Sequence, residues 1–387
     1  MQAHISDKIL FAGVNDADID LFESQYPVPD GITYNSYVIM DEKVAIMDTV
    51  DERKADEWFD LIKDTLAGRE PDYLVVNHME PDHTGGIKRL ADAYPQMKIV
   101  GNVKTFTFMA LFMDIDNLEN RKHVVKEGDE LSLGEHELRF IFAPMVHWPE
   151  VMVAYEKKTK TLFSADGFGT FGISPVDDWA YEARRYYYNI VGKYGANVQA
   201  LLKKLAGTDV TTIAPLHGPV LRENLAYYIG LYDKWSKYEA EEDSISIFYA
   251  SIHGNTAGIA AELKNVLIAK GKINVRLFDL ARADMSEAVE DAFYSKTLVL
   301  AAASYDAGVF PPMAHFLHHL KDKNFQNRRV AIIENGTWAP TAAKVMKGLL
   351  EPMKNMTIID PVVTIRSRYK PTDADALNKL ADALIAD

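Results

Sequence analysis

Short apolar runs separated by polar and amphipathic stretches dominate the first half of the chain. Ile32–Met40 and Lys43–Val50 predict a β-hairpin, because two apolar segments flank the polar pair Asp41-Glu42. Tyr73–Asn77 is a short and nearly continuous apolar run, which is typical of a buried strand. Helices are predicted at Asp51–Ala67, Gly85–Ala93 and Val103–Met113, a further strand at Lys98–Gly101, and a β-rich region over residues 123–167.

A regular alternation of strands and helices begins after the acidic run Glu239–Asp243. Tyr227–Glu242 predicts a polar and aromatic helix, and Ser244–Ala250 predicts the strand that follows it. Later strands are predicted at Val275–Leu280, Thr297–Ala303, Arg329–Glu334 and Thr357–Ile365, and helices at Ala257–Lys270, Asp284–Phe293, Pro312–Lys321, Ala342–Met353 and Asp373–Ile385. This alternation predicts a doubly wound parallel sheet that binds its ligand beyond the carboxyl ends of its strands. We place the domain boundary between residues 243 and 244.

The composition narrows the class of protein. The 387 residues are 48% hydrophobic and 25% charged, which is typical of a two-domain globular protein rather than a disordered one. The net charge of −14 argues against a nucleic-acid partner, because phosphate binding requires a basic surface. The absence of cysteine excludes disulfides and cysteine-held iron–sulfur or rubredoxin centres within the sequence. We see neither a signal peptide nor a membrane-spanning stretch, so we expect a soluble, cytoplasmic protein without a membrane partner.

Side chains of the kinds that bind metals follow several of the predicted strands. These candidates are His78, Glu80, Asp82, His83, His147, Asp166 and His217. One such residue alone is usually a solvated loop residue or a buried, hydrogen-bonded histidine, but a set of them at matching strand ends predicts a shared metal centre. The first four directly follow the strand Tyr73–Asn77. If their loop stays extended, side-chain alternation puts His78, Glu80 and Asp82 on one side, and Pro81 favours an extended Glu80.

The loop from His78 to His83 resembles the H-x-H-x-D-H loop of metallo-β-lactamase-fold hydrolases, but Glu80 replaces the second histidine. A carboxylate makes the site harder and more anionic, which suits iron better than the zinc of a hydrolase. The pattern H-x-E-x-D-H, followed by separate His, Asp and His, is similar to that of the flavodiiron proteins. This resemblance implies a di-iron centre: one iron on His78, Glu80 and His147, the other on Asp82, His83 and His217, with Asp166 bridging. Whether His83 or a water completes the second set stays open.

The resemblance also implies roles for two aromatic residues. Trp148 is expected to pack behind the metal ligands. Tyr194 is expected to lie near the substrate pocket and to act in catalysis, although the run Tyr186–Tyr188 offers other tyrosines for the same place.

Three loops of the second half predict a flavin site. The first follows the strand Ser244–Ala250; its hydroxyl groups and helix N-terminal amides can hold a phosphate, and Gly254 lets the backbone approach closely. Two more loops follow later strands. The three loops resemble the FMN site of flavodoxins, which implies that Tyr305 or Trp338 stacks on the flavin ring. The residues implied to bind FMN are Ser251, His253, Gly254, Asn255, Thr256, Ser304, Tyr305, Asp306, Ala307, Gly308, Asn335, Gly336, Thr337 and Trp338.

A further glycine motif does not indicate a nucleotide site. Gly167–Gly172 matches G-x-G-x-x-G and follows a strand. The residues after it do not open a helix, as a dinucleotide site requires, so we infer no NAD site.

The two modules, in this order, resemble a flavodiiron protein over nearly the whole chain. We therefore predict an α/β protein, with a metallo-β-lactamase-like αββα sandwich at residues 1–243 and a flavodoxin-like doubly wound parallel sheet at residues 244–387. The resemblance implies an oxidoreductase that reduces O2 to water, NO to N2O, or both. FMN would receive electrons from an external donor, rubredoxin or a reduced deazaflavin, in a head-to-tail homodimer or a dimer of dimers. Two alternatives are a metal-dependent hydrolase with a regulatory flavodoxin-like domain and a non-enzymatic electron-transfer protein.

Overall fold

The structure is a computed structural model that describes residues 2–386 and divides between Ser236 and Lys237 into two compact units. The strands of the first unit are β1 (Ile9–Phe11), β2 (Val14–Asp16), β3 (Leu21–Phe22), β4 (Tyr26–Pro27), β5 (Ile32–Tyr34), β6 (Tyr37–Met40), β7 (Val44–Met47), β8 (Tyr73–Val75), β9 (Lys98–Gly101), β10 (Lys122–Val124), β11 (Glu130–Ser132), β12 (Glu137–Phe142), β13 (Met152–Glu156), β14 (Thr161–Phe163) and β15 (Thr212–Ala214). Its helices are α1 (Ala55–Leu66), α2 (Ile87–Ala93), α3 (Val103–Phe112), α4 (Leu118–Arg121), α5 (Trp179–Tyr186), α6 (Gly195–Leu205) and α7 (Leu225–Ser236). Short 3-10 turns cover Glu52–Lys54, Pro81–His83 and Gly192–Tyr194, and a π-helical turn covers Tyr187–Val191.

The first unit is a sandwich of two sheets. One sheet has the order β1-β6-β7-β8-β9-β10 and the other the order β11-β12-β13-β14-β15. Apolar side chains of both sheets, such as Met47 and Val75 from the first and Phe140 and Phe163 from the second, form one buried core. The predicted hairpin is confirmed, because β6 and β7 pair antiparallel with Met40 opposite Val44. These facing apolar surfaces explain why the strands alternate so little between apolar and polar residues.

Several strands of this unit end at loops that carry the candidate metal residues. Strand β8 lies parallel to β7 and β9, and β14 lies parallel to β15. The loop with His78 follows β8, Asp166 follows β14, and His217 follows β15. His147 lies in the turn between β12 and β13.

The second unit is a doubly wound sheet, as predicted. Its strands are β16 (Glu242–Ala250), β17 (Val275–Asp279), β18 (Ser295–Tyr305), β19 (Gly308–Val309), β20 (Arg329–Asn335) and β21 (Thr357–Ile365). Its helices are α8 (Asn255–Ala269), α9 (Met285–Tyr294), α10 (Pro311–Asp322), α11 (Ala342–Leu350) and α12 (Ala374–Ile385), with a 3-10 turn at Pro371–Asp373. The strands β17-β16-β18-β20-β21 are all parallel, and β19 pairs with the end of β18. This order reverses direction at β16, so the carboxyl end of β16 borders the ligand crevice typical of such sheets.

The predicted end of one helix is wrong. The polar and aromatic helix was expected to run to Glu242, but α7 ends at Ser236 and Glu242 begins strand β16. Tyr238 adopts a left-handed backbone conformation with φ of 59°, which cannot continue a helix. Glu242 instead pairs with Ser295 in the sheet, so a tertiary contact overrides the local helical pattern.

Within residues 2–386, no helix is both long enough and apolar enough to cross a bilayer.

Asp41 connects the turns of two hairpins in the first unit. Its Oδ2 accepts a hydrogen bond from the backbone N–H of His136 at 2.7 Å and lies 2.8 Å from the Nδ1 of that ring, while Oδ1 accepts from the N–H of Glu42 at 2.9 Å. Burial by itself raises the pKa of the Asp41 carboxyl, but the hydrogen bonds from His136, Glu42 and Lys8 outweigh it and hold the pKa well below its usual range. The ionised form is therefore the one that stabilises the fold.

We expect Asp41→Asn to lower the free energy of unfolding by about 2–3 kcal/mol near pH 7, because an amide cannot accept these bonds as a carboxylate does. A depressed folded pKa stabilises the protein only above the unfolded pKa of about 4, so the difference from wild type should shrink as the pH falls below that value. Urea denaturation of the variant and of wild type, once near pH 7 and once below the unfolded pKa of about 4, measures this difference in the free energy of unfolding. Asp64→Asn, an exposed change of equal charge on α1, is the control. An equal cost at both pH values would contradict the argument.

Candidate metal centre and flavin site

The loop after β8 distributes its four candidate residues between two neighbouring groups. Glu80 has an extended backbone with φ of −61° and ψ of 142°, as Pro81 predicted. The 3-10 turn Pro81–His83 then reverses the chain. The alternation expected for an extended loop therefore holds only as far as Glu80, because the turn begins at Pro81. Glu80 joins His78 in one group, whereas Asp82 joins His83 in another.

The first group contains His78, Glu80, His147 and Asp166. Each offers one ligand atom, and all these atoms lie within 4.8 Å of one another. Glu80 Oε2 lies 2.9 Å from His147 Nε2 and 3.3 Å from His78 Nε2. Asp166 Oδ2 lies 3.3 Å from both of these ring nitrogens. Two imidazoles and two carboxylates thus converge on one point.

The second group contains Asp82, His83 and His217, all buried. Asp82 Oδ2 lies 3.1 Å from His217 Nε2 and 3.4 Å from His83 Nε2. Asp166 reaches this group through its other oxygen, because Oδ1 lies 3.0 Å from His83 Nε2 and 3.9 Å from His217 Nε2. Asp166 therefore faces both groups, one oxygen to each.

Buried atoms without partners test whether these residues suit metal ions. Among the described residues, the atoms of the two groups that lack a hydrogen bond include His78 Nε2, His217 Nε2, Asp166 Oδ2 and both carboxylate oxygens of Asp82. A buried polar atom without a partner is costly, so such a cluster indicates missing ligands rather than a packed core. Histidine and carboxylate donors without thiolates suit iron. The residues therefore fit a pair of metal ions.

Hydrogen bonds behind the histidines orient their rings. His78 Nδ1 donates to Glu150 Oε1 at 2.7 Å, and His217 Nδ1 donates to the carbonyl oxygen of Thr33 at 2.7 Å. With the proton held on Nδ1, the lone pair of Nε2 faces the cluster. Glu150 was not predicted, because nothing in its local pattern shows a contact with a residue 72 positions away. The one sequence feature that could have indicated this role is its position three residues after the candidate ligand His147.

The pKa values of the histidines also indicate that the cluster favours a positive charge. Burial lowers the pKa of His147, but its hydrogen bonds with Asp166 and Glu80 outweigh burial and raise the pKa to about 9. Burial also lowers the pKa of His78, yet the negative charge of Asp166 leads the effects that hold it well above its ordinary value. In both cases the carboxylates attract a cation, either a proton or a metal ion.

The aromatic residues near the cluster include one from the run Tyr186–Tyr188, which the sequence offered as an alternative to Tyr194. Trp148 packs edge-on against His78, with ring centroids 5.5 Å apart, which agrees with the predicted packing role. Tyr186 lies 5.5 Å from the ring of His217, and its buried hydroxyl has no hydrogen-bond partner among the described residues. Tyr194 is half-buried at the end of the turn Gly192–Tyr194, and its catalytic role stays a prediction.

We expect Glu150→Gln to weaken iron binding by about 10- to 100-fold, because a neutral amide orients and polarises the His78 ring less strongly than a carboxylate does. Iron retained after dialysis against graded chelator concentrations measures the effect. Glu127→Gln, a surface carboxylate paired with Lys204, is the control. Unchanged retention in Glu150→Gln would show that the contact is only structural.

A cavity of about 580 Å³ lies at the carboxyl ends of the parallel strands in the second unit. It is lined by all three predicted loops, and among the predicted residues only Gly254 and Gly308 are outside the lining. The hydroxyl of Ser251 is buried without a partner, as expected for a group that binds a phosphate oxygen. Trp338 is 80% exposed and Tyr305 44% exposed, so both offer ring faces for stacking. The cavity thus fits a flavin nucleotide.

The structure adds a fourth loop to this site. Ser367, which follows β21, also lines the cavity, and its backbone N–H donates to the side chain of Asn335 at 2.9 Å. The sequence showed no flavin motif there.

The hydroxyl of Ser304 accepts hydrogen bonds from the N–H groups of Thr341 and Ala342, at 2.8 and 3.1 Å. Part of its hydrogen-bonding capacity therefore stabilises the start of α11.

Known proteins are similar to this chain in both of its units. Residues 32–218 match a family model described as "ODP family beta lactamase". A putative diflavin flavoprotein of Synechocystis is 32% identical over 310 residues, covering 76% of this chain and 51% of that relative, so the chain spans about half its length. An anaerobic nitric oxide reductase flavorubredoxin of Escherichia coli is 28% identical over 397 residues, covering 97% of this chain and 80% of the relative.

A solved structure extends the likeness to both units. The rubredoxin oxygen:oxidoreductase of Desulfovibrio gigas has a TM-score of 0.91 at 25% identity, over 99% of this chain and 98% of that chain. These similarities agree with the resemblance to the flavodiiron proteins. The predicted fold class is confirmed: a metallo-β-lactamase-like sandwich joined to a flavodoxin-like sheet. The predicted cofactors, FMN and a di-iron centre, agree with the names of these relatives, and the two sites offer groups suited to each.

Proposed function

We propose that this chain is a flavodiiron protein, an oxidoreductase that reduces O2 to water, NO to N2O, or both. The observation that carries the proposal is the position of Asp166, whose two oxygens face two separate groups of histidine and carboxylate donors. A carboxylate shared between two such groups is typical of a centre that holds two metal ions. The similarity to an NO reductase of Escherichia coli and an oxygen oxidoreductase of Desulfovibrio gigas supports the reaction class.

The chain's own side chains would hold and shape the centre. We assign one iron to His78, Glu80 and His147 and the other to Asp82, His83 and His217, with Asp166 between them. When bound, the irons would supply electrons to the diatomic substrate, and FMN in the cavity of the second unit would supply electrons to the irons. Glu150 and the carbonyl of Thr33 would fix the ring orientations, and the Tyr186 hydroxyl is free to donate a hydrogen bond towards the centre.

The hydrolase alternative is not favoured. Hydrolases of this fold carry a second histidine where this chain has Glu80, and that carboxylate lies between His78 and His147. It makes the first donor set harder and more negative than a zinc hydrolase needs. A purely electron-carrying role is also less well supported, because a carrier has no use for two buried donor groups with unpaired atoms.

The partners of the reaction are part of the proposal. We propose an external donor, rubredoxin or a reduced deazaflavin, and a head-to-tail homodimer or dimer of dimers. The exposed apolar side chains of α3 offer a surface for contact with another protein, since Val103, Leu111 and Phe112 are 68%, 75% and 44% exposed. We assign this surface to a second copy of the chain. The ring of Phe112 lies 6.3 Å from Trp148, which also contacts His147 and His78, so a docked flavin module would lie near the centre. A cytoplasmic location stays a prediction.

The test is anaerobic purification followed by cofactor analysis and gas consumption with a reduced donor. We expect about one FMN and two irons per chain, and consumption of O2 or NO that is lost in His147→Ala. His315→Ala, a histidine exposed on α10, is the control for general effects of the substitution. The faster gas identifies the substrate. Bound zinc without gas consumption would overturn the proposal and favour the hydrolase.

A further inference from the structure

A second cavity, of about 450 Å³, leads to the metal centre from the surface of the first unit. Glu80 and Asp82, one from each donor group, form part of its wall. Three other acidic residues line it: Asp20, Glu23 and Asp51. Carboxylates therefore extend from the mouth of the cavity to the donor groups.

These carboxylates form a series of decreasing exposure. Asp20 and Glu23 are exposed, Asp51 is half-buried, and Glu80 and Asp82 are only 9% and 7% exposed. Among the described lining residues Arg53 is the basic one, and its Nε donates to Asp16 Oδ2 at 2.9 Å. Because the guanidinium of Arg53 already pairs with Asp16, its positive charge does little to offset the carboxylates that line the cavity. The cavity wall is thus negative, although burial and the neighbouring Glu80 carboxylate raise the pKa of Glu23 to about 7, so Glu23 is only partly ionised at neutral pH.

The buried end of the series points to a cation. Both oxygens of Asp82 are buried and lack any hydrogen-bond partner among the described residues. A carboxylate removed from water in this way requires a positive ligand. The acidic wall therefore ends at Asp82, whose Oδ2 lies 3.1 Å from His217 Nε2 and 3.4 Å from His83 Nε2, the other donors of the second group.

We propose that this cavity is the route by which ferrous ions enter the metal centre, with Glu23 and Asp51 guiding them inward. The inference rests on the function proposed above. A cleft lined by charges of one sign focuses the electric field and raises the entry rate of an opposite charge. Ferrous ion gains oxygen ligands from the carboxylates as it loses water. O2 and NO are uncharged, so a wall of carboxylates gives their entry no advantage.

The test measures iron uptake directly. Protein with FMN retained is freed of iron with a chelator, mixed anaerobically with ferrous ion, and quenched with a coloured iron chelator at successive times. The variants are Glu23→Gln, Asp51→Asn and the double variant. Asp51 accepts a hydrogen bond from the N–H of Arg53 at 2.8 Å and caps the turn Glu52–Lys54; asparagine keeps that cap, so the fold should be preserved. Asp64→Asn removes an equal charge outside the cavity and is the matched control.

We expect the double variant to take up iron about 10-fold more slowly, with a weaker dependence on salt concentration, while Asp64→Asn behaves as wild type. The final iron content and the FMN content should be unchanged. Wild-type uptake rates in the double variant would overturn the route, as would a lower final iron content at an unchanged rate, which would make these residues ligands. If wild-type protein binds no iron pair or consumes no gas, the proposed function fails first. If it does both and the uptake rates are unaltered, the entry route alone fails.

Discussion

Asp166→Asn is expected to lower gas consumption by about 100-fold or more and to reduce the bound iron below two per chain. Asp166 is fully buried, with Oδ2 3.3 Å from His78 and His147 and Oδ1 3.0 Å from His83. Asparagine has nearly the same shape but only one acceptor oxygen. Its NH2 group would point at one of the two donor groups and repel the cation there. The neutral amide also removes a negative charge that two buried cations need.

The measurement combines iron analysis, FMN analysis and gas consumption on one sample. FMN content should be unchanged, because the residues lining the flavin cavity all belong to the second unit. Asp41→Asn is the control, since it also removes a buried, hydrogen-bonded carboxylate of the first unit and lowers stability, yet its recorded partners are His136, Glu42 and Lys8 rather than the candidate ligands. Wild-type gas consumption by iron-loaded Asp166→Asn would rule out a bridging role.

Gly254→Ala is expected to weaken FMN binding by about 10- to 100-fold while the iron content stays unchanged. Gly254 precedes α8 with φ of 85°, a left-handed conformation that favours glycine. A Cβ at this position meets no protein atom within 4 Å. The substitution therefore acts through backbone strain in the phosphate loop rather than through a clash with protein atoms.

A second glycine separates these effects from a general loss of stability. Gly271, after the end of α8, has φ of 92° and also no atom within 4 Å of an added Cβ. Gly271→Ala should therefore cost a similar amount of about 1 kcal/mol in stability and leave FMN binding unchanged. Titration of the flavin-free proteins with FMN, followed by flavin fluorescence, measures both affinities. Equal affinities for the two variants would show that the first loop does not bind the phosphate.

Local patterns were sufficient to find the elements and most chemical groups. The apolar run before His78 and the alternation after Ser244 depend on near neighbours in the sequence, so the strands at Tyr73–Val75 and Glu242–Ala250 could be predicted. Candidate metal residues were recognised because they follow such strands. The catalytic role of Tyr194 and the boundary at residues 243 and 244 are predictions that still await a test.

Contacts between distant segments could not be read in the same way. The 3-10 turn Pro81–His83 sent Glu80 and Asp82 to different donor groups, although simple alternation put them together. Glu150 and Tyr186 acquire their positions only when other loops pack against them. Glu242 belongs to a strand rather than to the predicted helix, because it pairs with Ser295 in the sheet.

The sequence by itself determined the two-module α/β architecture, the absence of thiolate chemistry and the types of side chain at the strand ends. Backbone preference and apolar periodicity act over a few residues, and for that reason a single chain is enough to show them. Only the tertiary structure decided which carboxylate faces which histidine, that Asp166 faces both groups, and that an acidic cavity leads to them. Those relations depend on how the two sheets of the sandwich pack, and packing joins residues whose separation along the chain carries no local signal.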